Sequence, residues 1–179
     1  MNVGISGYFG KSQSRLYNNL HNDSTALIQK ADSSVVKISM IGTDIRYKIK
    51  GVKLTGQLYY ALLGNTKQYN IFTSKDGKYN DLGSSMIGYY AEIGYNVLKS
   101  VKNIKSELMP FVRYEAYNTH HSVENIITKN DKYNITIITI GLNFTLIEGA
   151  VIKADIQFNK SKADEKFSKI FNAGFGVTF

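Results

Sequence analysis

Charged residues in this chain recur in opposite pairs two positions apart: Asp44 with Arg46, Arg113 with Glu115, and Lys153 with Asp155. In an extended chain, positions i and i+2 share one face and sit about 6.5–7 Å apart. Lys53 and Glu92 fall in the same polar phase of their own segments. The chemistry open to such a row is electrostatic. It can sort small solutes by charge, or stiffen a wall with ion pairs. Proton or acyl transfer asks for other groups. The three histidines, His21, His120 and His121, lie in segments read as loops, without a spaced set of metal ligands. Ser24 and Ser122 stand near histidines, but outside any nucleophile elbow. Asp76-Gly77, between Lys75 and Lys78, reads as a turn and not as a calcium loop. No glycine loop for phosphate opens a helix. The expectation is a protein that is not an enzyme and uses no cofactor or metal.

The elements that position these charges must be strands. At 179 residues and 43% hydrophobic, the chain has room for one domain spanning 1–179. Its mean hydropathy is −0.21. No apolar run is long enough for a transmembrane helix, but a membrane barrel needs apolar residues only at alternate positions. One proline, 13 tyrosines and 15 glycines fit a sheet protein. The absence of cysteine rules out disulfides and thiolate metal sites. The charge of +8 comes from scattered lysines, not a basic stripe interleaved with aromatic residues, so nucleic acid is not the expected partner.

Alternation marks eight strands: Asn2–Gly10, Val35–Lys48, Val52–Leu63, Ser85–Leu98, Glu107–Tyr117, Tyr133–Ile147, Ala150–Asn159 and the terminal Phe171–Phe179. In the fourth, Ile87, Tyr89, Ala91, Ile93 and Tyr95 oppose Gly88, Tyr90, Glu92 and Gly94. In the last, Phe171, Ala173, Phe175, Val177 and Phe179 oppose Asn172, Gly174, Gly176 and Thr178. Helical periodicity is confined to a turn within Gln13–Leu27. The strands are longer than the roughly 5–6 residues of an average globular strand and match the roughly 9–11 of a tilted membrane strand. Long polar connections (11–34, 64–84, 118–132) alternate with short turns (49–51 and 148–149). That parity belongs to an up-and-down meander, with short periplasmic turns and long outer loops.

Two orientations of the faces are open. A lipocalin-like soluble barrel turns the apolar face inward; a membrane barrel turns it outward. Glycines on the polar faces, charges of both signs on those same faces, and aromatic residues near strand ends (Tyr47, Tyr95, Phe144, Phe158, Phe171, Phe179) favour the outward orientation. The polar row Asp44, Arg46, Lys53, Glu92, Arg113, Glu115, Lys153 and Asp155 then borders an enclosed interior. In a closed eight-strand barrel it would sit in a plug; in a sixteen-strand barrel it would line water. Lysines at the short turns (Lys48, Lys50, Lys53; Lys99, Lys102, Lys105) would attract anions to a pore mouth or form a solvated rim.

The terminal strand resembles the C-terminal signal strand of bacterial outer-membrane barrels, in which Phe171, Phe175, Val177 and Phe179 would be read by the barrel-assembly machinery. Further phrases occur in order: Gly42-Thr43-Asp44-Ile45-Arg46-Tyr47 with Leu54-Thr55-Gly56-Gln57, Tyr90-Ala91-Glu92-Ile93-Gly94-Tyr95, Pro110-Phe111-Val112-Arg113-Tyr114-Glu115, Gly141-Leu142-Asn143-Phe144, and Val151-Ile152-Lys153-Ala154-Asp155. Together, from about residue 35 onward, they resemble the C-terminal half of Gram-negative porins of the phosphate-selective type. The resemblance implies an all-β, antiparallel up-and-down transmembrane β-barrel. This chain would supply eight strands, as a small barrel or as the last half of a sixteen-strand one. It further implies outer-membrane location, passive diffusion of small hydrophilic solutes with a leaning to anions, contact with lipid and lipopolysaccharide, and homotrimers. Phosphate specificity does not follow from it. The alternative function is a closed eight-strand barrel with a structural or surface-interaction role. Strand-like sequence begins at Asn2 without a signal peptide before it, so the expectation is a processed form, an engineered form or the back part of a longer protein.

Overall fold

The computed structural model describes residues 1–12, 25–147 and 149–177. Eight strands form one antiparallel sheet in strict sequence order: β1 (Asn2–Lys11), β2 (Lys37–Ile49), β3 (Val52–Gly64), β4 (Ser85–Tyr95), β5 (Glu107–Ser122), β6 (Asn134–Ile147), β7 (Ala150–Ser161) and β8 (Ser168–Val177). Each strand pairs with its predecessor, and no ladder joins β1 to β8 among the described residues. The sheet is therefore an open meander with two free edges.

The connections alternate in length because the strands alternate in direction. At one end lie the two-residue turn 50–51, the short step between Ile147 and Ala150, and the link 96–106. At the other lie 12–36, 65–84, 123–133 and 162–167. The first turn closes with Lys50 and Gly51 both at positive φ, the backbone of a tight hairpin that suits glycine. Asp76-Gly77 does the same, with Lys75 and Lys78 bridging on either side, so the turn expected there is present.

Nine boundaries differ from those expected, four of them by one or two residues in β1, β2 and β3, which end at Lys11, start at Lys37 and end at Ile49, and end at Gly64. β4 stops at Tyr95 and not at Leu98, because the Asn96 side chain turns the chain by accepting from the N–H groups of Leu98 (3.1 Å) and Leu108 (3.3 Å). β5 runs on to Ser122, β6 starts one residue late at Asn134, and β7 runs on to Ser161. β8 begins at Ser168, before the aromatic alternation starts. Two helices also appear where polar loops were expected. α1 (Thr25–Ser33) begins at the end of the Gln13–Leu27 segment, most of which lies outside the described residues. α2 (Thr66–Phe72) sits inside the connection 65–84. It is short, and tertiary contacts hold it where sequence periodicity is too brief to register.

Register keeps the alternation in phase across the sheet. One rung reads Tyr47, Leu54, Ile93, Val112, Ile140, Ile156 and Phe171. The next reads Arg46, Thr55, Glu92, Arg113, Thr139 and Gln157. Adjacent rungs point to opposite faces, so one face is almost wholly apolar and the other polar. The rungs also slant. The polar one starts at Asn2, the first residue of β1, and ends at Ile170, the third of β8, so it crosses from the short-turn end to the long-loop end. A slip of about one residue per strand, at a rise of about 3.3 Å and a spacing of about 4.8 Å, corresponds to a strand tilt of about 35°.

The apolar face is the exposed one. Leu58 is 41% exposed, Ile93 53%, Leu142 40% and Phe175 84%. Among the described residues only Ala31, Val36, Ala61 and Met109 are buried hydrophobics. The largest fully buried side chains are Asn70, Thr66, Ser34 and Ser85.

Candidate functional site

The polar face holds the charge row. Arg113 on β5 is its centre. Its Nη2 lies 2.9 Å from Glu115 Oε2, and its guanidinium stacks 3.9 Å from the centre of the Tyr90 ring on β4. Two residues along one strand supply the ion pair; the neighbouring strand supplies the ring. A weakly hydrated planar cation suits this sandwich. Glu92 faces Arg113 in register, and accepts from Thr55 Oγ1 at 3.4 Å. Arg113 Nε is buried without a hydrogen-bond partner. Both charged side chains of the pair are about one-third exposed, so the pair is wetted on the concave side.

The other expected pairs differ. Asp44 and Arg46 approach only to 3.9 Å, and Arg46 is largely exposed. Lys153 and Asp155 share the face, but Asp155 takes its hydrogen bond from Asn172 Nδ2 (2.8 Å) on β8, and no ion pair joins it to Lys153. The spacing put both on one face correctly; the neighbouring strand offered a closer partner than the residue two along. Lys53 lines a recess of about 310 Å³ with Met1, Asn2, Arg46, Lys48, Glu107 and Met109. Within it Lys48 Nζ reaches Glu107 Oε1 at 3.3 Å, spanning from β2 to β5 over two intervening strands. That chord requires the sheet to curl toward its polar face at the short-turn end. Glu107 shares the alternation phase of Arg113 and Glu115, so its position on this face was readable; its partner was not.

Bulky residues on the polar face lie along the wall instead of projecting from it. The Phe111 ring lies over Gly141, where an added Cβ would come within 2.5 Å of it. Tyr59 lies over Gly42 in the same way. Glycine leaves the gap that lets an aromatic ring fold flat. A hollow of about 230 Å³ between Tyr59, Tyr90, Tyr117, Gln57 and Glu115 results.

The long-loop end is a second polar cluster, with a structural part to play. Asn70 of α2 donates to Leu82 O and accepts from Leu82 N–H, both at 2.9 Å. Thr66 Oγ1 bonds Glu124 at 3.1 Å. The buried His120 ring has both nitrogens engaged: Nδ1 accepts from the Asn130 N–H at 3.2 Å, which leaves Nε2 to donate to the Asp81 carbonyl. Tyr133 stacks on that ring at 4.1 Å and donates to the Asp81 carboxylate, which raises the tyrosine pKa above its ordinary value. His121 packs edge-on to Tyr60. His21 and Ser24 lie outside the described residues. Among those described, no group of three or more His, Cys, Asp or Glu could hold a metal.

Of the expected C-terminal signal, Phe171, Phe175 and Val177 share the exposed apolar face, and Phe179 lies outside the described residues. Compared with known protein families, curated proteins and solved structures, the chain matches none.

Proposed function

We propose that this chain forms the wall of a bacterial outer-membrane β-barrel porin that passes small hydrophilic solutes by diffusion. One observation carries the reading: polarity is inverted, with large hydrophobic side chains exposed over a whole sheet face and the largest fully buried side chains all polar. A sheet of eight strands in water would bury its apolar face; one in hydrocarbon keeps it outside. The barrel-like slant, the strand lengths of 10 to 16 residues and the flat-lying aromatic rings agree with a wall around an aqueous lumen. In this reading Arg113, Glu115, Glu92, Asp44, Arg46, Lys53, Lys153 and Asp155 face the lumen and set its charge preference. The terminal strand engages the assembly machinery, and homotrimers follow from the family resemblance alone.

A second reading, a small closed barrel with a structural or surface-interaction role, is favoured by one feature: the Lys48–Glu107 chord draws the wall into tight curvature. Planar-bilayer recording of the folded chain separates the two. Stepwise current is expected for the porin, and a shift of reversal potential toward cations for Arg113→Met. Folded protein that carries no current overturns the porin reading, and a chain that folds in buffer without detergent overturns both.

A further inference from the structure

On the apolar face the described strands carry only four charged residues, all of them lysines: Lys11, Lys37, Lys160 and Lys169. All four sit at the long-loop margin. Lys11 and Lys37 are register partners at the ends of β1 and β2. Lys160 lies opposite Thr136 near the end of β7, and Lys169 lies opposite Phe158 at the start of β8. No aspartate or glutamate shares this face, and none of the four lysines forms an ion pair among the described residues. At the opposite, short-turn margin the same face carries Tyr47, Ile49, Tyr95, Leu108 and Val177 and no charge.

We propose that these lysines bind the phosphate groups of anionic lipid at the long-loop margin of the membrane. The inference rests on the barrel reading and adds a ligand to it. Aromatic residues stand two positions inward of the cations: Phe9 beside Lys11, Phe158 beside Lys160, and Phe171 beside Lys169. Phe9 and Phe171 are 82% and 72% exposed. The Lys169 ammonium stands 5.9 Å from the Phe158 ring, and that of Lys160 5.7 Å from the Phe167 ring while donating to the Glu165 carbonyl at 3.2 Å. A ring in the acyl region with an ammonium just above it matches the boundary between chain and headgroup. A lysine at the edge of an apolar face and held in no ion pair takes the phosphate as its counter-ion; Lys160 also acts on the Asp164 carboxylate of the adjoining loop, which weakens its share. A soluble anion would gain nothing from the bordering phenylalanines.

The test folds the full chain into vesicles of phosphatidylcholine containing a minority of phosphatidic acid. The protein is extracted into neutral detergent, and retained lipid is measured by native mass spectrometry. Wild type is expected to enrich phosphatidic acid by roughly fivefold at each lysine, the scale of one lysine acting near an anionic surface. Replacing all four lysines by glutamine should abolish the enrichment, and Lys→Arg at the same positions should restore it. Lys102→Gln with Lys105→Gln removes charge at the other end and should leave it unchanged. Four outcomes overturn the proposal: retention by the glutamine variant equal to wild type, equal loss in the Lys102/Lys105 variant, displacement of the lipid by millimolar inorganic phosphate, or folded wild type with no lipid preference. In each the barrel reading survives. Failure to enter vesicles of either composition removes the barrel reading and the proposal together.

Discussion

Asn70 at the long-loop end is fully buried, while Phe175 on the last strand is 84% exposed. The first holds Leu82 through both its amide nitrogen and its oxygen. The second has β7 on one side and, among the described residues, no strand on the other. These two side chains typify two regions built on opposite solvent assumptions. The loop end obeys the rule of aqueous proteins, in which a buried polar group must be paired. The sheet violates the companion rule that large apolar groups go inside. A single environment does not satisfy both. Under the barrel reading, the contrast puts the boundary between water and hydrocarbon near the margin where Lys11, Lys37, Lys160 and Lys169 stand.

The sharpest break of that comparison is a charge in the middle of the apolar face. Leu142→Lys places an ammonium where hydrocarbon is proposed, and should cost about 2–4 kcal/mol in lipid vesicles. Gln157→Lys, on the polar face, should change stability by less than about 0.5 kcal/mol. Urea titration in vesicles, followed by gel mobility, measures both. Equal costs at the two positions would mean that the faces do not differ in solvent. The loop end should answer in its own currency. Asn70→Ala strips a donor and an acceptor from the half-buried Leu82 backbone, a loss of about 1–3 kcal/mol. Hydrogen exchange should rise locally around 80–84, while the central strands stay protected. Exchange that rose through β4 and β5 would show the two regions to be one cooperative unit.

A third change probes the wall from the polar side. Gly141→Val cannot coexist with the Phe111 ring in its present place. Overpacking of this kind costs about 1–3 kcal/mol unless the ring swings out into the interior. In the porin reading the swing narrows the passage and lowers single-channel conductance. Phe111→Ala in the same background should restore it. Conductance indifferent to both changes would put the lumen elsewhere.

How much of this was legible in the sequence depended on the range of the interaction. Alternation placed Arg113, Glu115 and Glu92 on one face because side-chain phase is a property of the strand alone. It also placed Lys153 beside Asp155, but the sequence carries no sign that β8 would offer Asn172 at 2.8 Å. Turns such as Asp76-Gly77 were readable because their chemistry is local. α2 was not, since seven residues held by Asn70 and Thr66 carry too little periodicity of their own. The slant of the rungs lay wholly out of reach. It is the sum of seven registers, each set by packing between strands, and no one strand contains it.

The smallest effect expected is the most specific to the loop end. Tyr133 donates to the Asp81 carboxylate, and this bond, with burial and the nearby negative charge, lifts the tyrosine pKa above its ordinary 10.0. A group whose pKa is raised on folding stabilises fully below its unfolded value and loses that contribution as pH rises through the folded one. The bond should therefore hold the 65–84 connection against the β5–β6 loop throughout neutral pH, and weaken only above about pH 10. The pair is open to solvent, so less than about 1 kcal/mol is at stake. Tyrosine Cζ NMR shifts should reveal a late-titrating ring in wild type that is missing from Tyr133→Phe. The β5–β6 loop should loosen at alkaline pH in wild type and already at pH 7 in the variant. The sheet should be indifferent in both, because its strands are held by their own ladders and not by the bond between Tyr133 and Asp81. If the apolar strands loosened over the same alkaline range, the loop end would be coupled to the wall, and the division between the two regions would have to be redrawn through β5.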